Sequence, residues 1–180
     1  MDLFTLNYLL SLGGLGLLVL TVIMFVDYFY FRSKFYVRFV EAFVWPIIVA
    51  TTIGSVGLSL VYSEYFGFIP CSLCWLQRIA LYPQALFVVM AVRTKEQIYF
   101  PLYSIGLSVF GLIVAVYHYV YQMVPTETNT TGTILPCLAD GSADCAVKIM
   151  NEFGFVTFPF LSAVTFAFLI VLYLNLRRAN

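Results

Sequence analysis

Two thiols three positions apart, Cys71 and Cys74, with Arg78 one helical turn beyond, are the residues of this chain best suited to chemistry. A Cys-x-x-Cys pair closes an exchangeable disulfide, and a neighbouring cation favours the thiolate that carries out the exchange. Arg78 follows Cys74 by four residues, so on a helix the two share a face, and its guanidinium also offers N–H donors to an oxygen gaining negative charge. Two further cysteines, Cys137 and Cys145, lie later in the chain. Four cysteines permit three pairings, of which local pairing, Cys71 with Cys74 and Cys137 with Cys145, is the simplest resting arrangement. A Cys-x-x-Cys bridge closes so small a loop that it stabilises the fold only slightly, which favours a reactive pair over a structural one. Zinc would need both pairs to converge without a helpful histidine spacing, and a c-type haem would need histidine where Trp75 stands, so no metal is expected.

The elements that must hold these thiols are membrane helices. Of 180 residues, 62% are hydrophobic and 10% charged, and the mean hydropathy is +0.96. A water-soluble domain of that composition lacks the polar residues to cover its surface. About 20 apolar residues cross the hydrocarbon layer. Windows of that kind fall near 3–26, 39–62, 72–92, 98–123 and 157–176, and their continuous apolar runs do not alternate as barrel strands do. The first window has no preceding basic residue and no small-x-small cleavage signal, so it is read as a retained helix. Its Gly13-Gly14-Leu15-Gly16 cluster suits close helix packing.

Charge orients the bundle. Arg32, Lys34, Arg38, Arg93, Lys95, Arg177 and Arg178 all fall on one side of the five spans, which the positive-inside rule makes the cytoplasm. The N-terminus, residues 63–71 and the loop 124–156 are then extracytoplasmic, with the C-terminus inside. All four cysteines share the outer side, where disulfides form and persist. No basic run of the kind nucleic acid requires is present. His118, the only histidine, sits near the outer end of the fourth span, with Gln122 one turn later. In the outer loop, Pro125 and a Thr/Asn/Gly-rich stretch suit a mobile segment, and Pro136-Cys137 suits an extended approach to a partner's groove. Residues 146–153 carry apolar side chains at helical spacing, which predicts a short helix lying on the bilayer.

These segments carry a resemblance. The run Cys71-Ser72-Leu73-Cys74-Trp75-Leu76-Gln77-Arg78, continuing to Pro83, resembles the first redox motif of the disulfide bond formation protein B (DsbB) family, and most of all its BdbC-like branch. His118 to Pro125 resembles that family's His-x-x-x-Gln-x-x-Pro, and residues 153–160 resemble the entry to its last helix. The resemblance implies an all-α integral membrane four-helix bundle over residues 39–180, to which residues 1–38 add one transmembrane helix and a cytoplasmic loop. It further implies a quinone-dependent thiol oxidoreductase of the inner or plasma membrane, using ubiquinone or menaquinone and oxidising an extracytoplasmic thioredoxin-like, DsbA-like partner. By the same analogy Cys137 receives the partner's thiolate, Cys145 exchanges with Cys71, and Cys74 is freed to meet the quinone, with Arg78, His118, Gln77 and Gln122 around it. Only seven residues separate Cys137 from Cys145, a tighter loop than the best-known members have.

Two other readings make different demands. A structural or transport subunit with stabilising disulfides would resist reduction and show no quinone dependence, and the spans lack the paired intramembrane charges of a permeation path. A vitamin K epoxide reductase-like quinone reductase shares similar chemistry, but there the loop cysteines precede the redox pair, the reverse of the order here.

Overall fold

The computed structural model describes residues 3–31, 34–94, 98–123 and 145–179. Cys137 and the proline- and threonine-rich part of the outer loop lie outside them. Five long helices account for nearly all of it: α1 (Leu3–Val26), α2 (Lys34–Leu60), α3 (Ser72–Thr94), α4 (Phe100–Met123) and α5 (Phe158–Ala179). Asp27–Phe31 and Val61–Tyr65 extend α1 and α2 by single wide turns of π geometry. Segments long and apolar enough to span a bilayer run Leu3–Tyr30, Phe43–Tyr65, Ser72–Thr94, Phe100–Met123 and Phe158–Arg178. The chain is therefore an all-α, five-span membrane protein. The second span ends later than hydropathy suggests, at Tyr65.

Helices α2, α3, α4 and α5 close a ring by packing each on the next, with α5 returning to α2, and α1 docks on the outer side of α5. Contact on three sides explains why Phe166, Phe168, Leu169, Leu172 and Tyr173 of α5 are all buried. Small residues set the closest approaches, as expected where lipid tails are as apolar as the helices. A Cβ added at Gly111 of α4 would lie 2.4 Å from the Phe166 ring, and one at Gly14 of α1 would lie 2.1 Å from a Leu161 methyl. Gly13 and Gly16 have no such neighbour. Of the expected glycine cluster, Gly14 alone is in tight helix contact.

A buried polar knot ties three helices together at mid-bundle. Gln84 of α3 is fully buried; its Oε1 accepts from the Tyr173 hydroxyl of α5 at 2.9 Å and from the Ser108 hydroxyl of α4 at 3.1 Å. Its amide N–H donates to the Ala80 carbonyl at 2.9 Å. No spacing pattern in the sequence marks Gln84.

One end of the bundle gathers the tips of all five helices around the cysteines. There the Tyr62 hydroxyl donates to Asn7 Oδ1, and the Tyr62 and Phe158 rings meet edge to face at 4.6 Å. At the opposite end Arg178 lies over the Tyr28 ring, 5.6 Å from its centroid. Residues 146–153 correct the expectation of a surface helix. The chain turns back at residues 152–156, with the Glu152 and Val156 backbones exchanging hydrogen bonds at 3.1 and 2.9 Å. Phe153 (φ 54°) and Gly154 (φ 78°) adopt left-handed conformations at its tip. The physical reason lies upstream, where the Cys145 and Val147 carbonyls that a helix would use are already taken by side chains of α4.

Replacing Gln84 by leucine strands two buried hydroxyls that have no water to turn to. Interhelical hydrogen bonds in membranes contribute roughly 0.6 kcal/mol each, up to about 1.7. Gln84→Leu is expected to lower the unfolding free energy in detergent by about 1–3 kcal/mol, while thiol exchange at the distant cysteines persists; an unchanged denaturation midpoint would show that the knot contributes nothing.

Candidate redox site

Cys71 closes the turn that leads into α3, and Cys74 lies in that helix's first turn. The Trp75 N–H donates to the Cys71 carbonyl at 3.0 Å, so the backbone is already helical across the motif. Both thiols are free, with their sulfurs 3.1 Å apart. At that separation the two sulfurs are placed for direct thiol–disulfide exchange. Cys145 is disulfide-bonded. It is buried in one small cluster with Cys71, Leu73 and Val114, and its sulfur lies 3.7 Å from Ser72 Oγ. A thiol pair and a disulfide sulfur from separate segments thus share one pocket.

His118 is the hub. Gln77 Nε2 lies 3.1 Å from its Nδ1, and its Nε2 lies 3.1 Å from the Cys145 carbonyl oxygen. An amide N–H can only donate and a carbonyl can only accept, so the network assigns a neutral imidazole with the proton on Nε2. The same Nε2 stands 3.9 Å from the Cys71 sulfur. Gln122 donates to the Cys145 and Val147 carbonyls at 3.2 and 3.3 Å, and its 3.4 Å approach to His118 Nε2 brings together two donors. Its Oε1 is buried with no hydrogen-bond partner among the described residues.

Arg78 points elsewhere than its spacing suggests. Its Nε and one Nη donate to the side chain and the carbonyl of Ser59 in α2, both at 2.9 Å, and its guanidinium lies over the Trp75 ring, 5.4 Å from the centroid. An arginine at the centre of a membrane helix costs about 2.5–3.5 kcal/mol, less near the interface. Two hydrogen bonds from a charged group, at roughly 1.5–3 kcal/mol each, offset that. Ser59 is a site residue the sequence did not flag; a serine near the outer end of a span is its only signature.

The groups that touch Cys71 therefore set its acidity. The neighbouring Cys74 S–H, and then His118, hold the Cys71 thiol down to about 4, against the opposing effect of burial. The Cys74 S–H and His118 thus favour a thiolate at Cys71. Cys71, Cys74 and His118 bring two sulfurs and a ring nitrogen within 4.8 Å of one another, but with the Nε2 proton committed to the Cys145 carbonyl only the two sulfurs are free to act as donors to a soft metal ion. Cys145 is not available as a fourth ligand, because its sulfur is in a disulfide.

All of these groups open on one cavity of about 830 Å³. Cys71, Cys74, Gln77, Arg78, His118 and Gln122 line its polar end, and the rest is apolar helix surface. That combination, a greasy concave space with a few convergent polar groups, is the usual form of a small-molecule site. The sequence-predicted residues Cys71, Cys74, Cys145, Arg78, His118, Gln77 and Gln122 converge here; Cys137 lies outside the described residues.

Residues 41–176 match the family described as disulfide bond formation protein DsbB. A probable disulfide formation protein of Oceanobacillus iheyensis is 39% identical, the match covering 67% of this chain and 79% of that protein. Disulfide bond formation protein C of Bacillus subtilis is 33% identical over 71% of this chain and 84% of its own length. An SPbeta prophage-derived disulfide bond formation protein B, also from Bacillus subtilis, is 34% identical over 72% and 82%. No solved structure matches the chain.

An ordinary thiol needs a pH near 8.5 to be half ionised, whereas Cys71 should be half ionised near pH 4. Because the thiolate persists above its lowered pKa, alkylation at residue 71 in the reduced protein, read by peptide mapping, is expected to stay near its plateau down to about pH 5. His118→Ala should move the fall-off to higher pH. Labelling that drops tenfold per pH unit below 8 would contradict this geometry.

Proposed function

The chain belongs to the DsbB family of disulfide bond formation proteins, and on that footing we propose that it reoxidises an extracytoplasmic thioredoxin-like thiol oxidase and passes the electrons through two cysteine pairs to membrane quinone. A role in disulfide formation and a multi-pass membrane architecture follow from family and fold. The finer reading rests chiefly on one observation: the free Cys71 and Cys74 thiols and the disulfide-bonded Cys145 share one pocket at the polar end of an apolar cavity.

Two dithiol–disulfide exchanges carry the electrons. A partner's dithiol reduces the Cys137–Cys145 disulfide and leaves as the oxidised partner. The loop dithiol then reduces the Cys71–Cys74 disulfide: Cys145 attacks Cys71, Cys137 resolves the mixed disulfide, and the loop disulfide reforms as Cys71 and Cys74 become thiols. A quinone, when bound, supplies an acceptor for two electrons and two protons.

The residues present fit such a group. Gln122 lines the cavity beside His118, and its buried Oε1 has no hydrogen-bond partner among the described residues. Arg78 Nη1 makes no hydrogen bond among the described residues and offers N–H to a carbonyl oxygen. His118 holds a proton at Nε2 beside Cys71 and is positioned by Gln77. Gln77 and Gln122 thus act mainly by positioning, one the imidazole and the other the cysteine loop. Charge bias supports the orientation, with the cysteine end extracytoplasmic and the basic end cytoplasmic.

With a reduced thioredoxin-like protein and either ubiquinone or menaquinone, Cys74→Ser is expected to abolish quinone reduction, measured as loss of quinone absorbance. Cys137→Ser should abolish exchange with the partner while leaving quinone binding intact. Arg78→Ala should raise the quinone KM about tenfold, the loss of one charged hydrogen bond. Wild-type turnover by Cys74→Ser would overturn the assignment.

A further inference from the structure

The cavity that opens at the sulfurs is far larger than a redox ring needs. It runs from Cys71 and Cys74 along the bundle between Leu10, Gly13 and Leu17 of α1 and Ala50 and Gly54 of α2, with Phe166 of α5 as part of its floor. At 1.5 Å per residue, the eight steps along α1 from Leu9 to Leu17 correspond to a depth of about 12 Å, a little under half the hydrocarbon layer. Among the described residues, α1 and α2 each pack closely on α5 but not along each other. They leave between them a cleft lined by residues of both helices.

Helix α1 lies outside the family match, which begins at residue 41, yet it is one wall of this cleft. Its position is fixed at the sulfur end. Asn7 accepts from Tyr62 of the α2 extension, the Ser11 hydroxyl lies 3.8 Å from Met150 Sδ in the cysteine segment, and the Tyr8 and Phe153 rings are 6.0 Å apart. Gly14 seats the helix on Leu161. Gly13, one residue away, faces open space in the cavity, with nothing within 4 Å of where its Cβ would stand.

Resting on the functional reading above, we propose that the cleft between α1 and α2 is a binding site for the isoprenoid tail of the quinone, with α1 as its outer wall and Gly13 as the residue that keeps it open. The occupant is argued from continuity. One connected cavity is most polar at the thiols, where Gln77, Arg78, His118 and Gln122 line it, and predominantly apolar along α1 and α2. A molecule with a polar ring and a long, narrow hydrocarbon chain matches both parts in that order. Residues 9–17 then do more than anchor the chain: they select acceptors that carry a tail.

The test uses the full chain in detergent, with ring-matched quinones that lack a tail or bear four isoprene units, in both the ubiquinone and the menaquinone series. Binding is read by quenching of tryptophan fluorescence, without turnover. Wild type should bind the tailed form of its preferred ring more tightly. Gly13→Leu should weaken the tailed form about tenfold, equivalent to about 1.4 kcal/mol, and leave the tail-free form within about twofold. Gly16→Leu, on the same helix but away from the cavity and equally unhindered, should change neither. As a second measurement on the unmutated protein, a quinone with a photoreactive group on its tail should label residues 9–17 and 50–58. Equal effects of Gly13→Leu on both forms, labelling confined to other helices, or preferential labelling of the cleft by a phospholipid acyl probe that quinone does not displace would overturn the tail site alone. Failure of wild type to bind any of the quinones would overturn the functional reading as well.

Discussion

A buried imidazole at the end of a membrane helix must have both ring nitrogens answered, and meeting that demand organises this site. His118 takes a donor from α3 through Gln77 and gives its own proton to the Cys145 carbonyl. Those two contacts lock α3, α4 and the segment after the outer loop into one register. They also leave the imidazole N–H beside Cys71, where it favours a thiolate. If the segment from Cys145 to Val147 were helical, its carbonyls would be bonded within it and His118 would lose its acceptor. The irregular backbone there is thus a requirement of the site, and Gln122 reinforces it from one turn further along α4.

The same logic separates the roles of the one cation and the two thiols that the motif puts together. Sequence spacing places Arg78 on the face of Cys74, but the guanidinium has a stronger alternative in Ser59, whose hydroxyl and carbonyl take two of its N–H groups. Arg78 therefore joins α2 to α3 and forms one side of the cavity mouth. The acidity of the pair is governed instead by contact at sulfur, through the Cys74 S–H and His118. An acidic thiol at Cys71 and a cation set back along the cavity wall thus occupy separate positions in one pocket.

The extra helix has the most to say about how such a site is completed. The ring of α2 to α5 holds every cysteine described, but it leaves one flank of the cavity open toward lipid. Helix α1 covers that flank without closing it: among the described residues it is seated on α5 through Gly14 and hydrogen-bonds the α2 extension at the tip through Asn7 and Tyr62. Two buried polar residues in an apolar helix, Asn7 and Ser11, are costly in hydrocarbon unless paired. Both are paired with elements of the cysteine end.

Much of this was legible in the chain itself. Five apolar windows gave five helices, because the cost of leaving backbone groups unpaired in lipid is local and adds up residue by residue. The motif at residues 71–78 and the histidine and glutamine at 118 and 122 pointed to one end of the bundle for the same reason: antiparallel spans of equal length bring alternate ends together. Sequence did not disclose which face of each helix turns inward. In a soluble helix the polar face marks the outside, but here both faces are apolar, so periodicity carries little signal. Rotation was decided by tertiary packing, through contacts such as Gly14 on Leu161 and Gly111 under Phe166. That rotation is what sends Arg78 to Ser59, buries Gln84 between two hydroxyls, turns Gly13 toward the cavity, and brings the Cys145 carbonyl to His118.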